Sequence, residues 1–306
     1  MKIAFIVPYF GKWPVWFPAF LKSCEYNPTI QWIFFSDCEA PEKKPKNVDF
    51  YGSNLQDIKS LATTKMGFEV ALNDPKKLCD LKPAYGDLFS NYLIDYDFWG
   101  FCDIDIIWGD IRKFITQDKL DNFDIITTLD KMISGHFTIF NNTAEAKLFY
   151  KHSGTYINCF QNPKHVKFDE IHFSQIITEL TQLNEVKVFW DKQKIVKGIE
   201  SPAHQEYYLD KWQWNNGKIF EIYGKAVIKE YMYLHFINWK KTMKKCEVKF
   251  TDLADYFYIS YSSIHFKLHS DFEKGFITFK NLFIGYFVRE KKRIFIKRLK
   301  KKLKWL

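Results

Sequence analysis

The chain has no CxxC pair and no close Cys/His cluster of the kind that makes a zinc site. Its six cysteines, Cys24, Cys38, Cys79, Cys102, Cys159 and Cys246, are scattered, which speaks against a disulfide framework and points to reduced thiols. Glycine is scarce, with 13 in 306 residues, and no Gly/Ser linker or internal repeat divides the sequence. A Gly-rich phosphate loop is missing too: the first apolar run is followed by PYFGKWP, with a single Gly and two prolines. Long hydrophobic runs are absent at the start, because MKIAFIVPYF stops at Pro8, too soon for a signal-peptide core or a membrane span. A cytoplasmic address is the resulting expectation. A net excess of positive charge is missing from most of the chain, because basic and acidic residues balance over 1–288. Residues 289–306 carry ten Lys and Arg against one acid, Glu290, and so account for the whole net charge of +9. A neutral body over 1–288 argues against nucleic acid as a partner.

Aromatic residues are abundant instead: 31 Phe, 17 Tyr and 10 Trp must pack in a core or lie against an apolar surface. KIAFIV at 2–7 reads as a strand buried on both faces, a helix pattern runs from Trp13 to Tyr26, and IQWIFFSD supplies a strand at 30–35. Strand, helix, strand is the opening of a doubly wound α/β domain. VDFYGSN suggests a third strand, 54–73 a helix, and Pro83 the first turn of another. FWGFCDID, 121–129, 134–142 and 185–190 read as strands, and 144–152 and 169–184 as helices. Residues 202–240 read as loop and strand, and 251–288 as helical, leading into the basic tail. The layout predicts one domain over 1–250, with halves of about 1–130 and 131–250, and an attachment region over 251–306.

The sharpest chemical signal is Asp103-Ile104-Asp105. Two carboxylates at the end of an uncharged strand, FWGFC, are costly without a counter-charge, and the carboxyl edge of such a sheet is where ligands bind. Hard oxygen ligands suit Mg²⁺ or Mn²⁺, and such an ion neutralises a diphosphate leaving group.

KIAFIVPYFGKWP, FFSD at 34–37, KPAYGDLF at 82–89, FWGFCDIDIIWGDI and SGHFTIFNN at 134–142 together resemble a group of bacterial GT-A glycosyltransferases that build surface polysaccharides, over roughly 1–245. The layout is also similar to the retaining galactosyltransferases of lipooligosaccharide synthesis. The resemblance implies a Rossmann-like, mostly parallel sheet flanked by helices. It implies a UDP-sugar donor, UDP-galactose or UDP-glucose in particular, and a lipid-linked glycan acceptor in capsule or lipopolysaccharide assembly.

Residue by residue, it implies that Pro8, Tyr9 and Phe10 wall the nucleotide pocket, and that Asp37 contacts uracil or ribose. Lys82 and Tyr85 would approach the donor with Asp87 beside them, although Lys82 is equally explicable as a surface lysine and Asp87 as a favourable charge in a first helical turn. Asp103 and Asp105 would hold the ion, with His235 of YLHFINWKK as third ligand. An imidazole there favours Mn²⁺ over Mg²⁺. Lys240 or Lys241 would meet the departing phosphate; the glycine usual between His and Lys in the galactosyltransferases is missing here, which leaves that choice open. Ser134, Gly135 and His136 would line the sugar and acceptor region. Asp169 and Glu170 would bind sugar hydroxyls or act as general base, against the alternative that they merely cap a helix.

In the tail, Ile296, Leu299 and Leu303 line one helical face among lysines, the pattern of a basic helix in an anionic membrane interface. A peripheral position on the inner face of the cell membrane follows. Two rivals remain: a nucleotidyltransferase-like phosphoryl-transfer enzyme, which would want the missing Gly-rich loop, and a non-enzymatic membrane binder, which rests on the tail alone.

Overall fold

The computed structural model describes residues 1–191, 209–224, 226–250 and 255–303. The chain divides into two compact units. The first comprises Met1–Pro14, Leu21–Ile104 and Ile111–Ile195; the second comprises Val15–Phe20, Asp105–Asp110 and Val196–Leu306. Helix α1 (Phe17–Glu25) is shared between these assignments.

The first unit is built on a seven-stranded sheet: β1 (Ile3–Pro8), β2 (Ile30–Ser36), β3 (Val48–Gly52), β4 (Phe98–Cys102), then, past β5 (Ile106–Trp108) of the second unit, β6 (Ile125–Thr127), β7 (Phe137–Asn141) and β8 (Val188–Phe189). Its order is β3-β2-β1-β4-β7-β6-β8, and β7 alone runs against the rest. β1, β2 and β4 bury almost every residue, as the unbroken apolar runs require of strands covered on both faces. Helix α2 (Leu55–Met66) opens with a capping box of Asn54 and Asp57 and ends at Gly67 in the left-handed region. Helix α3 (Phe173–Gln182) buries Phe173, Ile176, Ile177 and Leu180. The mostly parallel, helix-flanked α/β architecture expected from the sequence is the one observed.

The second unit contains a six-stranded sheet: β9 (Trp212–Asn215), β10 (Lys218–Tyr223), β11 (Ala226–Tyr231), then, after β12 (Tyr233–His235), β13 (Lys245–Cys246), β14 (Tyr256–Ile259) and β15 (Ser263–His265), in the order β11-β10-β9-β14-β15-β13. Trp214 stacks on Phe257 across β9 and β14, with ring centroids 4.7 Å apart, and donates its indole N–H to Trp108 O. β12 pairs with β5 as a separate two-stranded ladder. The unit ends in α4 (Asp271–Ile284), capped by Ser270 and Glu273, and α5 (Tyr286–Leu303).

Several sequence expectations are corrected. Residues 256–265 form two strands rather than part of a helix: Phe257 and Ile259 are buried while Tyr256 faces out, a two-residue alternation too short to stand out among the serines and tyrosines. KPAYGDLF opens no long helix, but a chain of single turns, Leu78–Leu81, Lys82–Ala84, Tyr85–Leu88 and Ser90–Tyr92. Residues 144–152 contain a 3₁₀ stretch, Ala146–Lys151. The part of the 202–240 expectation that covers 202–208 lies outside the described residues.

Candidate active site

Parallel pairing of β1 with β2 and with β4 sets their carboxyl ends side by side, and the antiparallel partner β7 begins there, because Cys102 pairs with Phe137. One edge of the first unit's sheet therefore carries the loops starting at Tyr9, Asp37 and Asp103 and the segment Ser134–His136.

At the β1 and β2 ends, Asp37 accepts the Gly11 N–H at 2.8 Å, Tyr9 donates to Lys12 O, and Tyr9 stacks on Trp13 with centroids 5.2 Å apart. Trp13 in turn donates to Glu39 O. Phe10 packs in the main apolar core, so of the two aromatics expected against a base only Tyr9 stands in this loop as a partly exposed ring. Trp13 was not singled out in the sequence; only its place two residues beyond Gly11 hinted at it.

At the β4 end, Lys82 lies buried and donates to Asp103 Oδ1 at 2.5 Å and to Gly135 O. Burial opposes the ammonium's charge, but Asp103, with Asp169 behind it, outweighs that and holds its pKa well above the usual range. Asp103 keeps about a third of its side chain open to solvent (30%). Its N–H donates to His136 O, and Ser134 Oγ lies 2.9 Å from His136 Nδ1.

Asp169 and Glu170 do not cap an ordinary helix. They sit in a π-helical turn, Phe168–His172, entered through Lys167 at φ 59°, and Asp169 is only 4% exposed. A Cβ on Gly135 would lie 2.7 Å from Asp169 Oδ2 and 2.9 Å from Glu170 Cγ, so the absence of a side chain there is what admits the acids. Among the described residues Asp169 Oδ1 has no hydrogen-bond partner. Burial raises the Asp169 carboxyl to about 7, with Lys82 opposing and Glu170, Asp80 and Asp103 assisting.

A buried pair unforeseen in the sequence holds this turn. Lys77 Nζ donates to Asp80 Oδ2 at 2.8 Å, Cys159 O at 2.6 Å and Lys164 O at 3.1 Å; Asp80 accepts Val166 N–H and Phe168 N–H. Four points between 159 and 168 are thus fixed to one ion pair. His165 Nε2 lies 3.6 Å from Asp80 and 4.0 Å from Asp169.

In the second unit, the β5 and β12 ladder pairs His235 with Ile106, and Phe236 N–H donates to Asp105 O. Asp105 is 2% exposed; its Oδ2 lies 3.2 Å from His235 Nε2 and 2.8 Å from Lys240 Nζ. Burial alone would raise its pKa, but His235 and the Lys240 ammonium overcome this and hold it well below the usual carboxylate range. Lys240, with its side chain 48% exposed, is thus the lysine at the aspartate, while Lys241 is exposed. The cost of the two aspartates, expected to require a metal, is met in this structure by Lys82 on one and by His235 and Lys240 on the other. The donor set of Asp105 and His235, a carboxylate oxygen and an imidazole nitrogen, still suits a Mn²⁺-class ion, since the partly exposed Lys240 is a displaceable partner.

Two sequence candidates are engaged by the protein itself. Tyr85 is a core residue, 2% exposed, donating to Leu78 O. Asp87 is held by Tyr150 at 2.7 Å and by Lys65 and Lys151, an ion-pair arrangement that accounts for it without a ligand.

A search among curated proteins finds no significant match. Among solved structures the chain is similar to galactosyltransferase LgtC in complex with donor and acceptor sugar analogues, at 12% identity over 62% of this chain and 73% of that one, with a TM-score of 0.36. It is similar to an active-site mutant of LgtC at 10% identity over 77% and 87%, with a TM-score of 0.40. It is also similar to mouse xyloside xylosyltransferase 1, apo form, at 10% identity over 62% and 85%, with a TM-score of 0.32. Over residues 5–267 the sequence matches the model of DUF6625, described as a family of unknown function, and the chain belongs to that family.

Proposed function

We propose that the protein is a metal-dependent glycosyltransferase that moves a hexose from a UDP-sugar to a lipid-linked glycan acceptor in surface-polysaccharide assembly. The observation that carries this reading is the buried carboxyl of Asp169, whose Oδ1 has no hydrogen-bond partner among the described residues, set against Gly135 and near Lys82 at the carboxyl edge of the sheet. A carboxyl poised near neutral pH, with an oxygen left for a ligand, suits contact with a sugar hydroxyl or uptake of its proton.

On this reading Tyr9, with Pro8, flanks the base and Asp37 holds the loop that does so. Lys82 faces the diphosphate side of the donor, and Ser134 to His136 the sugar and acceptor. Asp103, Asp105 and His235 would hold the divalent ion, Mn²⁺ by preference, and its chemistry would be neutralisation of the departing diphosphate. Lys240 or Lys241 would meet the departing phosphate, Lys240 being the lysine that stands at Asp105. The nucleotidyltransferase alternative would want a Gly-rich loop after the first strand, where PYFGKWP has a single Gly.

Membrane attachment belongs to the same proposal. No helix among the described residues is long and apolar enough to cross a membrane. The basic residues Arg289, Lys291, Lys292, Arg293, Lys297, Arg298 and Lys300 are all exposed along α5, and α4 before it exposes Phe272, Phe276, Phe279 and Phe283. Cations beside an aromatic stripe suit an anionic lipid surface, on which a lipid-linked acceptor is at hand.

The test is release of free sugar from UDP-galactose and UDP-glucose by purified protein with Mn²⁺. Asp103→Ala and Asp105→Ala should each reduce it by at least about 100-fold. Turnover unchanged in either variant would remove the metal role.

A further inference from the structure

The second unit holds another group of potential ligands, Asp210, His265 and His269, whose ligand atoms all lie within 4.8 Å of one another. Asp210 precedes β9, His265 ends β15, and His269 lies just before α4. His265 and His269 are four residues apart, but Asp210 is remote in sequence and no cysteine takes part, so spacing alone did not reveal the group.

The two oxygens of Asp210 have different tasks. Oδ2 accepts the His269 N–H at 2.8 Å and lies 3.1 Å from Lys274 Nζ. Oδ1 faces both imidazoles, 2.8 Å from His269 Nδ1 and 3.7 Å from His265 Nε2. His265 Nδ1 lies 2.8 Å from Lys267 O, and a carbonyl only accepts, so the ring proton is on Nδ1 and Nε2 of the neutral ring is a lone pair. That nitrogen is buried, has no hydrogen-bond partner among the described residues, and points towards a carboxylate oxygen that is itself an acceptor. Two acceptors facing each other at 3.7 Å are unfavourable unless a Lewis acid lies between them. A carbonyl fixing the far nitrogen of the ring is also the usual support of a metal-bound histidine.

From this geometry we propose that Asp210 Oδ1, His265 Nε2 and His269 Nδ1 bind a divalent metal ion of the zinc class, at a site separate from Asp103 and Asp105. Metal bonds of 2.0–2.1 Å in a tetrahedron place neighbouring ligands roughly 3.3 Å apart, and the two observed spacings lie on either side of that value. Two nitrogens and one oxygen favour Zn²⁺ or Co²⁺ over Mg²⁺. An N–H on His269 Nδ1 donating to Asp210 would explain the shorter contact, but it leaves His265 unexplained. The ion fastens the 209–211 segment to the connection between β15 and α4. Asp210 and Lys274 also line a cavity of about 590 Å³ with Leu209, Ile222 and Leu268, which gives the ion a route to solvent.

Co²⁺ titration of the full chain carrying Asp103→Asn and Asp105→Asn, followed by visible absorption and calorimetry, separates this site from the proposed catalytic one. One Co²⁺ should bind with a nitrogen-ligand spectrum, displaced by Zn²⁺. Adding His265→Ala should weaken binding more than about 100-fold. Lys274→Met, which removes a competing cation from a half-buried position, should tighten it several-fold. No Co²⁺ bound by the Asn variant, or binding unmoved by His265→Ala, overturns the proposal. Should His265→Ala fail to fold, Lys274→Met decides, and unchanged or weaker affinity there overturns it equally. None of these outcomes depends on whether the protein transfers sugar.

Discussion

Asp169 shows how one residue's surroundings set its chemistry. Its carboxyl is raised to about 7, against roughly 3.9 for an exposed aspartate, chiefly because burial disfavours the charged form. The unfolded chain therefore loses this proton first as pH rises. The residue's contribution to stability is complete below about pH 4 and is lost as pH rises through about 7. Asp169→Asn, which carries no charge, should be the more stable protein at pH 8 and show no advantage at pH 4, measured by urea unfolding at both. A wild type equally stable relative to the variant at both values would contradict this. Gly135 acts on the same carboxyl through space. Gly135→Ala should leave the fold intact while displacing Asp169 and Glu170, with sugar release falling by about 100-fold at similar melting temperature.

At the scale of elements, the Lys77 and Asp80 pair joins the single turns after residue 75 to the segment that enters the π-helical turn. A buried ion pair is a weak source of stability but a good source of position. Breaking it by Lys77→Met alone should cost about 3–5 kcal/mol, because Asp80 is left charged and buried. Lys77→Met with Asp80→Leu should recover most of that loss while sugar release stays impaired and amides 164–172 exchange faster. Recovery of turnover together with stability would mean that the pair only packs.

The same contrast explains what the sequence disclosed. β1, β2 and β4 were legible because strands buried on both faces are written as unbroken apolar runs, and Asp103 and Asp105 were legible because a charge at the end of such a run is conspicuous. The π-helical turn was not, since it depends on Lys167 at positive φ and on amides fixed by Asp80 from 86 and 88 residues away. The sequence offers Lys82 either to the donor region or to the surface; its burial and its pairing with Asp103 are tertiary and have no trace in local spacing. The burial of Tyr85 is equally illegible: an aromatic within a motif looks the same in sequence whether it meets a ligand or the core.

For the whole molecule, charge and apolar exposure are concentrated together at the C-terminal end. A chain ending at residue 288 should lose sedimentation with phosphatidylserine or cardiolipin vesicles while retaining sugar release on a soluble acceptor. Loss of that activity as well, with a collapsed melting transition, would make α5 part of the fold rather than an attachment.

Helix α4 buries none of its side chains, and Phe272 is 82% exposed. Water alone is thus a poor medium for the purified protein. Concentrated samples should self-associate and elute early from a sizing column, and a mild non-ionic detergent should restore a single symmetric peak by wetting those phenylalanines.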